Sequence, residues 1–266
     1  MRFAKGREHL SDAGDGTVGV EGLSATANAW IAVDEREWLL TRQQALLIAA
    51  IPIALAIAGI LAVPFKSAYR VLANEDGIAE WLQVLALVVL FVIYLRLAVR
   101  LWRSGHRVYA VLFVVAAGGV FFIAGEEISW GQRIFGVATP EELEEINNQG
   151  ETNIHNIGPL LRIFNIVVLV VSAGACVMPL LRWTVWRDRA RGLAGYLSIP
   201  PLVLIPAFGF AFAYRAIRLV FLPEPRYVIS RYAEIAELSF YFGLVVFAWL
   251  TLRALTRRGT LEPVRT

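Results

Sequence analysis

The sequence predicts an all-α integral membrane protein: a bundle of about six transmembrane helices with an ordered re-entrant segment at its outer face. Three observations point there. Hydrophobic residues make up 58% of the 266, and mean hydropathy is +0.60, above the roughly 45–50% apolar content of soluble domains. Six apolar stretches each approach the roughly 20 residues needed to cross hydrocarbon. Arginines cluster in alternate connections, the pattern of a positive-inside topology.

Taken in order, residues 1 to about 28 are polar, rich in Gly, Ser, Ala and Asp, and lack sustained periodicity. They read as a disordered tail. The stretch 30–43 sets Trp30, Trp38, Leu39 and Leu40 among charges, and a short helix lying in the membrane interface is expected. Residues 1–43 are thus expected as a cytoplasmic tail, 44–256 as the membrane domain and 257–266 as a second tail. The N-terminus lacks the apolar core and cleavage site of a signal peptide, so the first span is expected to direct insertion.

The spans are expected at about 44–65, 78–99, 108–127, 160–181, 198–218 and 233–254. Pro52 and Pro64 fall in or at the end of the first, and Pro200, Pro201 and Pro206 in the fifth. Membrane helices tolerate proline, so kinks and not breaks are expected. Segments 71–96 and 228–253 share a faint ungapped similarity, which reads either as compositional coincidence or as a same-orientation repeat of a helical hairpin.

Orientation follows from the loops. Arg96, Arg100, Arg103 and Arg107 follow the second span. Arg182, Arg187, Arg189 and Arg191 follow the fourth, and Arg253, Arg257 and Arg258 close the chain. This side is expected to be cytoplasmic, with both termini on it, in the plasma or inner membrane. Arg226 and Arg231 on the other side weaken the rule locally. Net charge is only +3, so the clusters read as topology signals and not as a nucleic-acid surface. The single cysteine, Cys176, excludes a disulfide framework within the chain and a Cys-based zinc site.

The informative stretch is 125–156, GEEISWGQRIFGVATPEELEEINNQGETNIHN. Polar groups this dense against membrane-like sequence are costly unless paired or used. Thr139, Pro140 and Glu142 form a helix start with cap, proline and capping-box carboxylate. Leu143 and Ile146 share one face of that helix, and Gly150 is its expected stop. Asn156, Gly158 and Pro159 mark the start of the fourth span.

Depth can be counted at about 1.5 Å per residue from the arginine end. Glu80 precedes Arg96, and Glu237 precedes Arg253, by sixteen residues, or about 24 Å. Glu126 and Glu127 lie nineteen and twenty residues after Arg107, about 28–30 Å. Arg215 and Arg218 sit near the outer end of the fifth span. These groups must face one another, water or a substrate. One reading is structural, with Glu80 or Glu237 pairing with Arg215 or Arg218 to fix helix packing. The other is a polar cavity open to the outer face, rimmed by 125–156.

In the second reading Glu127, Glu80 and Glu237 supply acid and base groups, and His155 shuttles protons or ligates. Arg215 and Arg218 hold an anion through their planar forks, while Asn153, Asn156, Trp130 and Gln132 complete the substrate contacts. Arg226 and Arg231 read as interfacial snorkels. On a continuous helix Glu127 shares a face with Trp130 and Gly131, and Glu126 with Ser129 and Arg133. Glu126 then pairs with Arg133 if it is merely structural. A divalent metal is the cofactor such groups would take, with Glu126, Glu127, Glu151 and His155 as candidate ligands, although neither HExxH nor ExxH is present. A serine nucleophile at Ser129 lacks an elbow and an Asp–His partnership.

The run GEEISWGQR, followed by QGETNIHN, resembles uncharacterised bacterial multi-pass membrane proteins. The resemblance implies a membrane location and a common site, and carries no mechanism. The leading expectation is a membrane-embedded hydrolase or transferase acting on a lipid or lipid-linked anionic substrate. The alternatives are a carrier with a proton or solute pathway, or a structural subunit of an envelope complex. A carrier needs a continuous polar path to the other side, which an outer-leaflet enzyme does not.

Overall fold

The computed structural model describes residues 17–74, 76–147, 150–154, 157–186, 191–222 and 226–257. It is helical, with no strand among the described residues beyond an isolated bridge between Asn147 and Ile157. The elements are α1 (Thr17–Trp38), α2 (Arg42–Ala62), α3 (Lys66–Ala73), α4 (Ile78–Arg103), α5 (Arg107–Glu127), α6 (Gln132–Phe135), α7 (Glu141–Ile146), α8 (Gly158–Thr184), α9 (Leu193–Ser198), α10 (Ile205–Val220) and α11 (Tyr227–Arg257). Six helical stretches are long and apolar enough to cross a bilayer, the architecture of a multi-pass membrane protein. Their apolar surfaces remain exposed, as on α5 at Val108, Val111, Leu112, Val115 and Phe121. In water such surface is costly; in lipid it is solvated.

α11 forms the spine, with α4 on one side and α10 on the other; α5 packs on α4, and α8 on α10. The 128–157 connection therefore carries the chain from the α4 side of the bundle to the α10 side. The middle of the bundle is apolar. Leu87, Leu90, Ile93 and Leu97 of α4 are buried there with Phe208 of α10 and Phe240 and Leu250 of α11. Close approach at Gly243 lets the Phe208 ring lie where a Cβ would stand, 2.9 Å away.

Five local expectations change. The tail expected up to about residue 28 gives way to helix from Thr17. The helix expected over 30–43 is also more deeply seated than its charges suggest. Trp38 is fully buried, edge-on to Tyr196 at 5.1 Å, and Asp34 is buried with it. The fifth span is broken and not merely kinked: α9 ends at Ser198, residues 199–201 are non-helical, and a tight turn at Leu202–Leu204 leads into α10. Pro200 and Pro201 lack N–H groups and disfavour helix in the residue before each, so two in succession open the chain. The short helix expected from Thr139 begins at Glu141 with Pro140 as its cap residue, because the Thr139 hydroxyl is used elsewhere, and it ends at Ile146, before Gly150. Finally, 71–96 is interrupted between α3 and α4 where 228–253 is one continuous helix, so the two segments differ in local structure.

Candidate functional site

α5 stops at Glu127 because the next residues turn sharply. Ser129 and Trp130 have φ of 47° and 54°, and Gly131 continues at 81°. These values turn the indole back onto its own helix, over Gly125, where a Cβ would stand 2.7 Å from the ring. The Trp130 Nε1–H donates to Glu126 Oε1 at 2.6 Å, and the Ile154 backbone N–H donates to Glu126 Oε2 at 2.7 Å. Glu126 thus ties the far side of the connection to the end of α5. Trp130 belongs with Glu126, not with Glu127 as continuous helical spacing would have it.

The rest of the connection is knitted in the same way. Ser129 Oγ donates to Glu151 Oε2 at 2.8 Å, and Asn153 Nδ2 donates to the same oxygen at 2.8 Å and to Ser129 Oγ at 3.1 Å. Asn147 Nδ2 donates to Asn153 O and Oδ1 at 2.6 and 2.8 Å. Gln132 Oε1 accepts from the Thr152 N–H at 2.6 Å, its Nε2 donates to the Thr139 hydroxyl, and that hydroxyl donates to Gly150 O at 2.7 Å. Ser129, Asn147 and Asn153 are buried. Trp130, Gln132, Glu151 and Asn153 all have partners inside the segment, so these side chains hold the segment's own shape. His155 and Asn156 lie outside the described residues, as do the side-chain contacts of Arg133.

Beneath this segment the helices bring a second set of groups together. Tyr241 is buried on α11, and its hydroxyl donates to Glu127 Oε1 at 3.1 Å. Glu80, Glu234 and Glu237 all lie within electrostatic reach of Glu127. Glu237 is ion-paired with Arg215, whose side chain is 5% exposed. Gln83 is fully buried and donates from Nε2 to Glu234 O and Oε2 at 2.8 and 3.0 Å. Glu80 accepts from the Asp76 N–H at 2.5 Å at the start of α4. Two buried atoms in this layer have no hydrogen-bond partner among the described residues, the donor Arg215 Nε and the acceptor Gln83 Oε1. Buried polar atoms are nearly always satisfied, so an open donor and an open acceptor in one layer suit a bound water or a substrate group.

Of the residues expected from sequence, Glu80, Glu127, Glu237 and Arg215 converge. Arg218 does not join them: its Nη1 donates to Leu222 O at 3.0 Å, closing the last turn of α10. Sequence reasoning missed Glu234, Gln83 and Tyr241. A signal was present for two of them: Glu80 and Gln83, like Glu234 and Glu237, are three residues apart and share a helix face. Among the described residues no group of three His, Cys, Asp or Glu side chains is arranged to hold a metal ion. Glu126 and Glu151, two of the candidate ligands, are engaged in the connection.

The layer reaches the surface through a cleft of about 280 Å³ lined by Asp76, Glu80, Trp81, Val84, Ile128 and Ile134. Trp81 and Ile134 are exposed apolar side chains, so the cleft opens between α4 and the connection on the lipid-facing side. In the other direction the apolar middle of the bundle closes the layer off.

A separate polar cavity of about 620 Å³ lies at the arginine-rich end, between α1, α8 and the break before α10. Glu37 accepts from Arg182 Nη2 at 2.5 Å and Arg191 Nε at 2.9 Å. Arg191 lies over the rings of Trp38 and Tyr196 at 4.9 and 5.3 Å. Asp34 Oδ2 accepts the Val203 N–H at 2.7 Å, capping a backbone group that the Pro200–Pro201 break leaves bare. Burial pushes the Asp34 carboxyl up to about 7, against the lowering pull of the Val203 and Leu202 N–H groups and of Arg191. Burial also lowers the Arg191 guanidinium from its usual value.

Comparison with family models, curated proteins and solved structures returns no match.

Proposed function

We propose that the layer formed by Glu80, Glu127, Glu234, Glu237, Gln83, Tyr241 and Arg215 is the acid–base site of a membrane-embedded enzyme acting on a lipid or lipid-linked substrate. The observation that carries this reading is the excess of carboxylates over guanidinium groups in a layer closed by apolar packing on one side. Arg215 pairs with Glu237, and the field of Arg231 reaches Glu234. Carboxyl groups gathered where water is scarce have to face donors, one another or a substrate. A group that exchanges a proton within reach of a substrate is a general acid or base.

The substrate slides in from the bilayer through the cleft beside Trp81 and Ile134. Its reacting group meets Glu80 and Glu127, with Tyr241 orienting Glu127. An anionic portion does not belong among the carboxylates and stays outside the layer. Arg215 Nε and Gln83 Oε1 offer one donor and one acceptor to fix the substrate. The arginine distribution supports an extracytoplasmic position for this site. The closed apolar middle favours an enzyme over a carrier.

The test compares membrane lipids by mass spectrometry from cells making the wild-type protein, Glu127→Gln, Glu80→Gln or none. The wild type is expected to change the abundance of at least one lipid or lipid-linked species, and both variants to match cells lacking the protein. A wild-type profile from correctly inserted Glu127→Gln overturns the assignment. Proton or solute flux across proteoliposomes that depends on Glu127 replaces it with the carrier reading.

A further inference from the structure

A groove runs between α4 and α11 at the arginine-rich end. It has a volume of about 520 Å³ and is lined by Val92, Leu95, Arg96, Val99, Arg100, Arg103, Ser104, Leu252 and Thr256. Val92, Leu95 and Val99 are exposed apolar side chains on the same face of α4. Arg96, Arg100 and Arg103 follow at spacings of four and three residues, which stack side chains along one face of a helix. The groove is therefore apolar toward the middle of the span and cationic at its end.

The three arginines are not equivalent. Arg100 is partly buried, and its Nη2 donates to Leu255 O at 2.6 Å, anchoring α4 to α11 at the floor. Arg96 and Arg103 are exposed and have no partner among the described residues. Two free guanidinium forks and two hydroxyls, Ser104 and Thr256, converge on one end of an apolar trough. Planar forks bind phosphate bidentately, and basic pockets between membrane helices take anionic headgroups.

We propose that this groove binds an anionic phospholipid, with its phosphate on Arg96 and Arg103 and one acyl chain along Val92, Leu95, Val99 and Leu252. A phosphate alone uses the arginines and leaves the trough empty. A zwitterionic lipid fills the trough but brings a cation toward the arginines. Only an anionic lipid matches both halves.

The experiment is native mass spectrometry of the detergent-purified full chain, with thermal unfolding in parallel, after adding phosphatidylglycerol, phosphatidylcholine or inorganic phosphate. Wild-type protein is expected to retain phosphatidylglycerol at least tenfold more than phosphatidylcholine, and to unfold at higher temperature with it. Arg96→Gln with Arg103→Gln is expected to abolish that preference, and Arg96→Lys with Arg103→Lys to keep part of it. Both arginines are exposed, so neither pair of changes threatens the fold. Equal retention of both lipids, an unchanged preference in the Gln variant, or equal stabilisation by inorganic phosphate overturns the proposal.

Discussion

Replacing Asp34 by Asn removes one titrating group and leaves an oxygen to accept the Val203 N–H. In the folded protein the Asp34 carboxyl stands at about 7, against an ordinary value of 3.8, chiefly through burial; Arg191 pulls it down and Glu37 pushes it up. Arg36 and Arg182 line the same cavity. The folded chain therefore keeps a proton that the unfolded chain releases between those two values. The stability tied to that proton is complete below 3.8 and is lost as pH rises through about 7. At roughly 1.4 kcal/mol per unit, the total is about 4 kcal/mol, of which roughly 3 kcal/mol falls between about pH 5 and about pH 9. The assay is thermal unfolding of the detergent-solubilised protein, followed by tryptophan fluorescence at intervals across that range. Other groups titrate as well, so the difference between wild type and Asp34→Asn isolates this one. Wild type is expected to lose stability with rising pH relative to the variant, and the variant to be the more stable at the alkaline end. Parallel pH profiles would refute the reasoning, as would wild type gaining on the variant as pH rises.

Three further outcomes follow from the site geometry. Glu126→Ala strands the Trp130 and Ile154 N–H groups and is expected to cost about 3 kcal/mol or more, at roughly 1.5–3 kcal/mol per bond to a charged group; thermal unfolding and faster proteolysis within 128–157 report it. Gly125→Ala places a methyl 2.7 Å from the Trp130 ring and is expected to displace the indole, destabilise by about 1–3 kcal/mol and shift Trp fluorescence; an unchanged spectrum and melting point would contradict the packing described. Arg215→Ala leaves the half-buried Glu237 beside other carboxylates and is expected to cost about 3 kcal/mol, whereas Arg215→Met combined with Glu237→Leu recovers most of it; a double variant no better than the single would show that the pair is not what matters there.

Much of the fold was legible because span length and depth are one-dimensional quantities. Apolar runs gave helices near the expected bounds, as in α5, expected over 108–127 and observed at Arg107–Glu127. Counting residues from arginines set Glu80, Glu127 and Glu237 at similar depth because helix rise is constant. Where the regular helix ends, that counting fails. Trp130 went to Glu126 because Ser129 and Trp130 leave helical φ, and a face assigned on a continuous helix no longer applies. Thr139 looked like a helix cap, yet Gln132 and Gly150 compete for its hydroxyl, and they come near only after the connection has folded.

The sequence by itself determined an all-α, six-span membrane architecture and concentrated ionisable groups toward one end, because hydrophobic length and helical rise depend only on order along the chain. Tertiary structure decided which charges meet. Arg215 chose Glu237 and Arg218 its own helix end, because rotation about each helix axis is set by packing against neighbours. Asp34 found the bare N–H of Val203 across 169 residues, since only the assembled bundle brings α1 to the proline break. The polar stretch after Gly125 likewise proved to be held largely by its own hydrogen bonds, with the carboxylate layer supplied from beneath by helices that the motif itself does not contain.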